Sequence, residues 1–393
     1  MIKKLLKTIY SFYKLRFIHT TIHAIVATAL IYLLANFIFY IPLSLDYFAP
    51  IQKSNDFQLS DVFSAIRGKS KIINLNEEIV IVSTDDCVDR GEIAEVIAMV
   101  NSCNPKVIGL DIIFKEAIEM ENDTKLIEAI SDCSNIVLAC QLKEYDKVNK
   151  RYEQKVNNFF SHYLSHLTEA SININSSAEY HSIVRDFSTS IVYNEDTIST
   201  FSTVIANLYN NDLYNEFRKK EKETNLINFG ADEFRRIKGS DVLENKDLLS
   251  GKVVIIGDVD SPGDQHNTPV NISMSGCIIH AHILSTILRN KHIDIVDEKV
   301  NVYIAVVVCF IFVFISQIVK KQWSNLSELI IRVIQFLLLA AFFVGGYYLF
   351  VNSNLYWSFA FLLIMLGLTT LVFDIYFGAV NAIEGRLNEK NKK

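Results

Sequence analysis

The chain runs Ile79-Val-Ile-Val-Ser-Thr84, then Asp85-Asp86, and after Asp89 and a mixed run reaches Val107-Ile-Gly-Leu110, closing on Asp111. The first run is short, β-branched and free of polar alternation, which marks a strand covered on both faces. Asp89 stands where a helix N-cap belongs. Ile93, Val96, Ile97 and Val100 follow at i, i+3, i+4 and i+7, so a helix is predicted to about Ser102. The Val107 run predicts a second strand. Strand, helix and strand in such close succession make a βαβ unit, whose two strands must be parallel.

The pattern continues outward. Asn122-Asp-Thr124 opens a helix carrying Leu126, Ile127 and Ile130, and residues 136–139 give a third strand. Upstream, residues 57–67 read as a short amphipathic segment. Residues 141–170 are polar, with Tyr145, Tyr152, Phe159 and Phe160 scattered among charges, and read as an excursion outside the core. Alternation at 171–175 and again at 183–192 predicts antiparallel strands. Leu226-Ile-Asn-Phe229 and Val253-Val-Ile-Ile256 add two more, and a helix follows over about 278–289. The expected fold is an α/β domain with a mixed sheet built on βαβ units.

Four apolar runs flank this domain, at 22–41, 302–319, 333–351 and 355–373. Each is long enough for a helix to cross a hydrocarbon core about 30 Å thick. The chain has 393 residues, half of them apolar and 21% charged, with mean hydropathy +0.23. That balance argues against a purely cytosolic enzyme or a basic nucleic-acid binder. No small-x-small cleavage pattern follows the first run, which favours an anchor over a cleaved signal peptide. The segments 1–21, 320–332 and 374–393 hold 12 Lys and Arg, and the link at 352–354 holds none. Both termini are therefore expected in the cytoplasm as basic tails. The domain at 42–300 is expected outside the plasma (inner) membrane. Asp374 near the end of the fourth run is expected to face water or a basic neighbour, and Gly345-Gly346 in the third to permit close helix packing.

Residues 42–300 carry 26 Lys and Arg against 40 Asp and Glu, a net charge of −14. Nucleic acid is excluded as a partner, and the domain should stand off an anionic bilayer. Cys87, Cys103, Cys133, Cys140 and Cys277 lie in this region and cannot all pair; none has C-x-x-C spacing, so they read as core thiols.

Asp85, Asp86 and Asp111 end neighbouring parallel strands, where open α/β sheets place their ligand crevices. Such carboxylates can bind a ligand or cation, act as acid and base, or cap the next turn. Asp264, His266 and His280 form the second constellation: Asp-x-His and His-x-His supply oxygen and imidazole donors to a divalent metal. On a helix, however, His280 and His282 face different sides, and hydrogen-bonded structural histidines are the alternative. No metal or other cofactor is assigned, these three residues being only weak candidates. Arg185 can hold an anionic ligand or close an internal ion pair. The loop Gly257-Asp-Val-Asp-Ser-Pro-Gly263 follows a strand but lacks both phosphate-loop patterns, and its acids repel phosphate. No nucleophile elbow and no kinase motif set occurs.

The order of these motifs carries a resemblance. The strand ending Asp85-Asp86 is followed by Lys106-Val-Ile-Gly-Leu-Asp-Ile-Ile-Phe114, Asn122-Asp-Thr-Lys-Leu-Ile-Glu-Ala-Ile130 and Ile136-Val-Leu-Ala139. Then come Ser182-Ile-Val-Arg185, Ile227-Asn-Phe-Gly230, Ser240-Asp-Val-Leu243 and Leu249-Ser-Gly-Lys-Val-Val-Ile-Ile-Gly257. Asp264-Gln-His-Asn-Thr-Pro269 and Gly276-Cys-Ile-Ile-His-Ala281 close the series. Over roughly 55–292 this resembles the CHASE-two family of extracellular sensing domains associated with cyclases and histidine kinases, with one span before the sensor and three after it.

The resemblance implies a membrane-anchored sensor or receptor that meets an extracytoplasmic ligand or protein and signals as a homo-oligomer. Family members continue into a kinase or cyclase domain; this chain ends at Lys393 without one, so a separate cytoplasmic signalling protein is the expected partner, with membrane lipid around the spans. Two other readings stand beside it: an extracytoplasmic metal-dependent enzyme on the same fold, and a structural membrane-assembly protein.

Overall fold

The structure is a computed structural model that describes residues 2–40, 59–69, 74–164, 166–174, 183–323 and 326–390. Residues 57 and 58 of the expected amphipathic segment, Asn175 of the expected strand at 171–175, Ser182 of the quoted motif, and the tail residues Lys392 and Lys393 lie outside the described residues. The chain forms two compact units, one of residues 1–59 with 294–393 and one of Ser60–Ile293.

In the second unit, α1 (Leu59–Lys69), β1 (Asn74–Ser83), α2 (Arg90–Ser102), β2 (Val107–Leu110), α3 (Met120–Ser131) and β3 (Ile136–Asp146) follow in the predicted order. Asp89 caps α2, its carboxylate accepting the Glu92 N–H at 3.0 Å. After β4 (Arg151–Val156), β5 (Thr168–Ser171), β6 (Ser190–Tyr193) and β7 (Asp196–Ser199) come α4 (Phe201–Tyr209) and α5 (Asn211–Arg218). β8 (Asp232–Lys238), β9 (Val253–Gly257) and α6 (Gly276–Leu288) complete the unit.

These strands form one mixed sheet in the order β8-β1-β9-β2-β3-β4-β6-β7, with β5 also beside β3. From β8 to β3 every neighbour is parallel. The alternation along the central strands divides the core into two layers. Ile79, Ile81, Val253 and Ile255 pack in one layer with residues of α4 and α6. Val80, Val82, Val254 and Ile256 pack in the other with Ile97 and Val100 of α2 and Leu126 and Ile130 of α3. Each such side chain contributes on the order of 2 kcal/mol by leaving water. β2 has no room for a side chain at Gly109, where a Cβ would lie 2.5 Å from Ile205 Cδ1, so α4 sits directly on the strand.

Two expectations fail. Residues 141–170 are not an excursion outside the core. β3 runs on to Asp146 and forms an antiparallel hairpin with β4, and Phe160 beyond it is wholly buried, with Leu164 nearly so. Their turns have no helical or strand period, so the sequence pattern hides them. Nor does an antiparallel strand begin at Ser171: among the described residues the strand is Thr168–Ser171 and pairs parallel with β3, a partner set by the whole sheet and not by local alternation. The antiparallel expectation does hold for β6 and β7.

In the other unit, among the described residues, four helices are long and apolar enough to cross a membrane: Phe17–Ile38, Glu298–Gln322, Ser327–Ser353 and Ala360–Ile383. The third ends at Asn354, which adopts the left-handed conformation at φ 48° that Asn tolerates. Leu355–Tyr356 then pairs with Asp294–Ile295, so the last helix starts at Ala360, five residues into the apolar run. Phe359 packs onto Gly346 so closely that a Cβ there would collide with its ring, while a Cβ at Gly345 would meet nothing within 4 Å.

Candidate functional site

β1, β9 and β2 are adjacent and parallel, so their carboxyl ends deliver Asp85, Asp258 and Asp111 to one edge of the sheet. Asp85 fastens that edge. Its carboxylate accepts the Val259 N–H at 3.0 Å and the Asp260 N–H at 3.0 Å, tying the loop after β9 to the end of β1. Asp258 Oδ1 accepts the Thr84 hydroxyl at 3.0 Å, and its backbone carbonyl accepts the Ser275 hydroxyl at 2.8 Å. This loop is the one after Gly257 that lacks a phosphate pattern. Here it is held as a rigid acidic turn.

Asp264 joins this edge, where its charge acts on Asp111. Its Oδ2 accepts the Gly276 N–H at 2.9 Å at the first turn of α6, and its Oδ1 lies 3.2 Å from His266 Nε2. The helix N-terminus favours that negative charge. A Cβ at position 276 would come within 2.5 Å of Asp264 Oδ2, so glycine there lets the carboxylate reach the backbone N–H.

Asp111 is the carboxyl left over. It makes no side-chain hydrogen bond and no ion pair among the described residues. Burial first, then the Asp264 and Asp258 carboxylates, push its pKa up to about 8. Cys277 follows Gly276, and its thiol is pushed to about 12 by burial, then by Asp111. That thiol is a packed core group with no nucleophilic character.

The structure thus brings Asp85, Asp111, Asp264 and His266 to one edge, where His266 and Asp264 are hydrogen-bonded to each other, and Asp86, Arg185 and His280 make no side-chain hydrogen bond to any of the four. Asp86 is exposed. Arg185 pairs with none of the strand-end aspartates; its Nε reaches Asp61 Oδ1 of α1 at 2.7 Å and its Nη2 reaches Oδ2 at 2.8 Å, in a buried bidentate pair. His280 Nδ1 lies 3.1 Å from the Ser202 hydroxyl and its ring packs on Phe201. Burial drives its pKa down to about 4, so it stands neutral. His282, on another side of α6, packs edge-on against Phe229 and Phe234 and is pushed to about 3, mainly by burial. No three His, Cys, Asp or Glu side chains are arranged to hold a metal ion among the described residues.

Sequence reasoning missed Asp258 as a member of the edge and Asp61 as the partner of Arg185. Asp258 had a signal, since it follows a buried strand just as Asp85 and Asp111 do. Asp61 had none, lying 124 residues from its partner.

The CHASE2 domain matches residues 28–316, from within the first membrane helix to within the second. The chain belongs to the CHASE2 domain family. CHASE2 is a family of sensory, non-catalytic domains. With four helices able to cross a membrane, the chain is a multi-pass membrane protein carrying such a domain. No curated protein and no solved structure matches it.

Proposed function

We propose that the chain is an extracytoplasmic sensor that reads a ligand or partner at the acidic edge of its sheet. The shift passes through its membrane helices to a separate effector in the cytoplasm. The observation that carries this reading is the convergence of Asp111, Asp258, Asp264 and His266 at the carboxyl ends of parallel strands, with Asp111 unpaired among the described residues. Open α/β sheets recognise ligands at this edge, and a group kept there without a partner is one whose free energy a ligand can lower. Placement of the domain outside and of both termini inside is supported by the basic flanks of the four helices. The first membrane helix precedes the domain and the second follows it, so a change of state in the domain can displace one against the other.

The test is a thermal-shift screen of the full chain in mild detergent against divalent cations, amino acids and sugars. A compound present at 100 times its Kd stabilises by about 2.7 kcal/mol. The expected result is a specific stabiliser whose effect disappears in Asp111→Asn and in His266→Ala. A stabiliser that acts equally on both variants would overturn the assignment of the site.

A further inference from the structure

Where three membrane helices meet, the structure holds a second polar place. The end of Glu298–Gln322, the start of Ser327–Ser353 and the middle of Ala360–Lys390 enclose a partly open cleft of about 60 Å³, several times the space one water needs. Four charged side chains line it: Lys320, Arg332, Glu328 and Asp374. Lys320 Nζ stands 4.0 Å from Asp374 Oδ1 and 4.9 Å from the centre of the Phe373 ring. Arg332 and Glu328 are one turn apart on the same helix and exposed, yet neither forms an ion pair or side-chain hydrogen bond among the described residues.

The hydroxyls decide what the cleft takes. Ser316 Oγ donates to the Phe312 carbonyl at 2.7 Å, Thr369 Oγ1 to the Leu366 carbonyl at 2.5 Å, and Thr370 Oγ1 to Gln335 Oε1 at 3.2 Å. Each has spent its proton, so each oxygen facing the cleft can only accept. Two carboxylates and three acceptor oxygens suit a donor with several N–H bonds and a positive charge. Lys320 and the forked guanidinium of Arg332 suit a phosphate. The four charges form two opposite pairs, so a zwitterion can meet both, whereas a lone anion or cation leaves one pair unanswered. The flanking Phe312, Val313 and Ile331 offer an apolar wall where acyl chains begin.

We infer that this cleft binds the headgroup of a zwitterionic phospholipid with a primary ammonium, a phosphoethanolamine, the phosphate on Arg332 and Lys320 and the ammonium on Glu328 and Asp374. A trimethylammonium headgroup fails because it has no N–H to give to the acceptor oxygens. An anionic glycerol headgroup brings no cation to Glu328 and Asp374.

The test uses the full chain, delipidated in mild detergent, with its melting temperature followed against short-chain phosphatidylethanolamine, phosphatidylcholine, phosphatidylglycerol and inorganic phosphate. Phosphatidylethanolamine should raise the melting temperature saturably, and the other three by clearly less. Arg332→Gln and Glu328→Gln alter exposed residues, so the lipid-free melting temperature should hold while the apparent affinity for phosphatidylethanolamine falls about ten-fold in each. Equal shifts with phosphatidylcholine, or with phosphate alone, would overturn the inference. So would an undiminished affinity in both variants.

Discussion

The two edges of the same parallel sheet treat their acids in opposite ways. At the amino edge Asp232, the first residue of β8, is buried and surrounded by donors: the Ser285 hydroxyl, the Arg289 guanidinium and, at 3.8 Å, the Lys291 ammonium. Asn76 on β1 joins in by donating to Ser285 at 3.1 Å. At the carboxyl edge Asp85, Asp111, Asp258 and Asp264 gather with no Lys or Arg ion pair among the described residues, and His266 alone offers a titratable partner. An acid that only has to be buried is neutralised, as Asp232 is. An edge of acids left without bases costs stability, and folds tolerate that chiefly where something else is to bind.

The largest effect expected from breaking this contrast is at the amino edge. Asp232→Ala removes the shared anion and strands two cations near a buried hydroxyl. A broken buried pair costs about 3–5 kcal/mol, and the lower figure applies here because Arg289 and Lys291 keep part of their surface in water. Denaturant titration of the full chain in detergent checks it. A loss under about 1 kcal/mol would mean that the network is no more than surface charge.

Next in size is the pH profile, where the carboxyl edge should show itself. Asp111 holds its proton up to about pH 8 in the folded chain against 3.8 for an ordinary aspartate. As pH rises past 3.8 the unfolded chain gives up that proton first, so folding loses stability until about pH 8. The slope is at most ~1.4 kcal/mol per pH unit and less for a partly buried group. His280 and His282 have the opposite sign. Their folded pKa values, about 4 and about 3, lie below 6.5, so their contribution is complete above pH 6.5 and is lost as pH falls toward 4. Between pH 6.5 and 8 only the Asp111 slope survives among these three groups. Thermal or chemical unfolding should therefore show greatest stability near pH 6.5 and a decline toward 8. Asp111→Asn should flatten that decline and steepen the rise on the acid side, because the Asp111 slope, which opposes the two histidines there, is removed as well. A wild-type profile already flat above pH 6.5 would erase the distinction between the edges.

What the sequence made legible follows the range of each interaction. The βαβ start was readable because each signal is local: β-branched runs, a cap three residues from its N–H donor, apolar spacing along one helix face. Asp85 and Asp111 were readable as edge residues because position at a strand end follows from the strand itself. Arg185 was not readable as the partner of Asp61, nor β5 as a parallel neighbour of β3, because both depend on how distant segments meet. The burial of Phe160 was hidden by turns that have no period. His280 and His282 could be placed on different faces of a helix, but the two rings of Phe229 and Phe234 that bury His282 lie about 50 residues upstream and gave no sign.

Asp89 offers the finest test of the contrast, because it is an acid on the carboxyl side of β1 whose partner is fully known. It accepts the Glu92 N–H at the start of α2, and Glu92 in return accepts the Val88 N–H at 2.7 Å, a reciprocal cap. Its carboxylate is thus held by a backbone donor and by the helix dipole, as the carboxylate of Asp264 is at α6, and unlike Asp111 it has a partner of its own. Asp89→Ala should cost about 1 kcal/mol, the ordinary worth of an N-cap, and should leave the slope above pH 6.5 intact. If the same substitution instead flattened that slope, the proton would be shared along the whole row of acids. The carboxyl edge would then have to be treated as one coupled titrating group in place of a single unpaired aspartate among partnered ones.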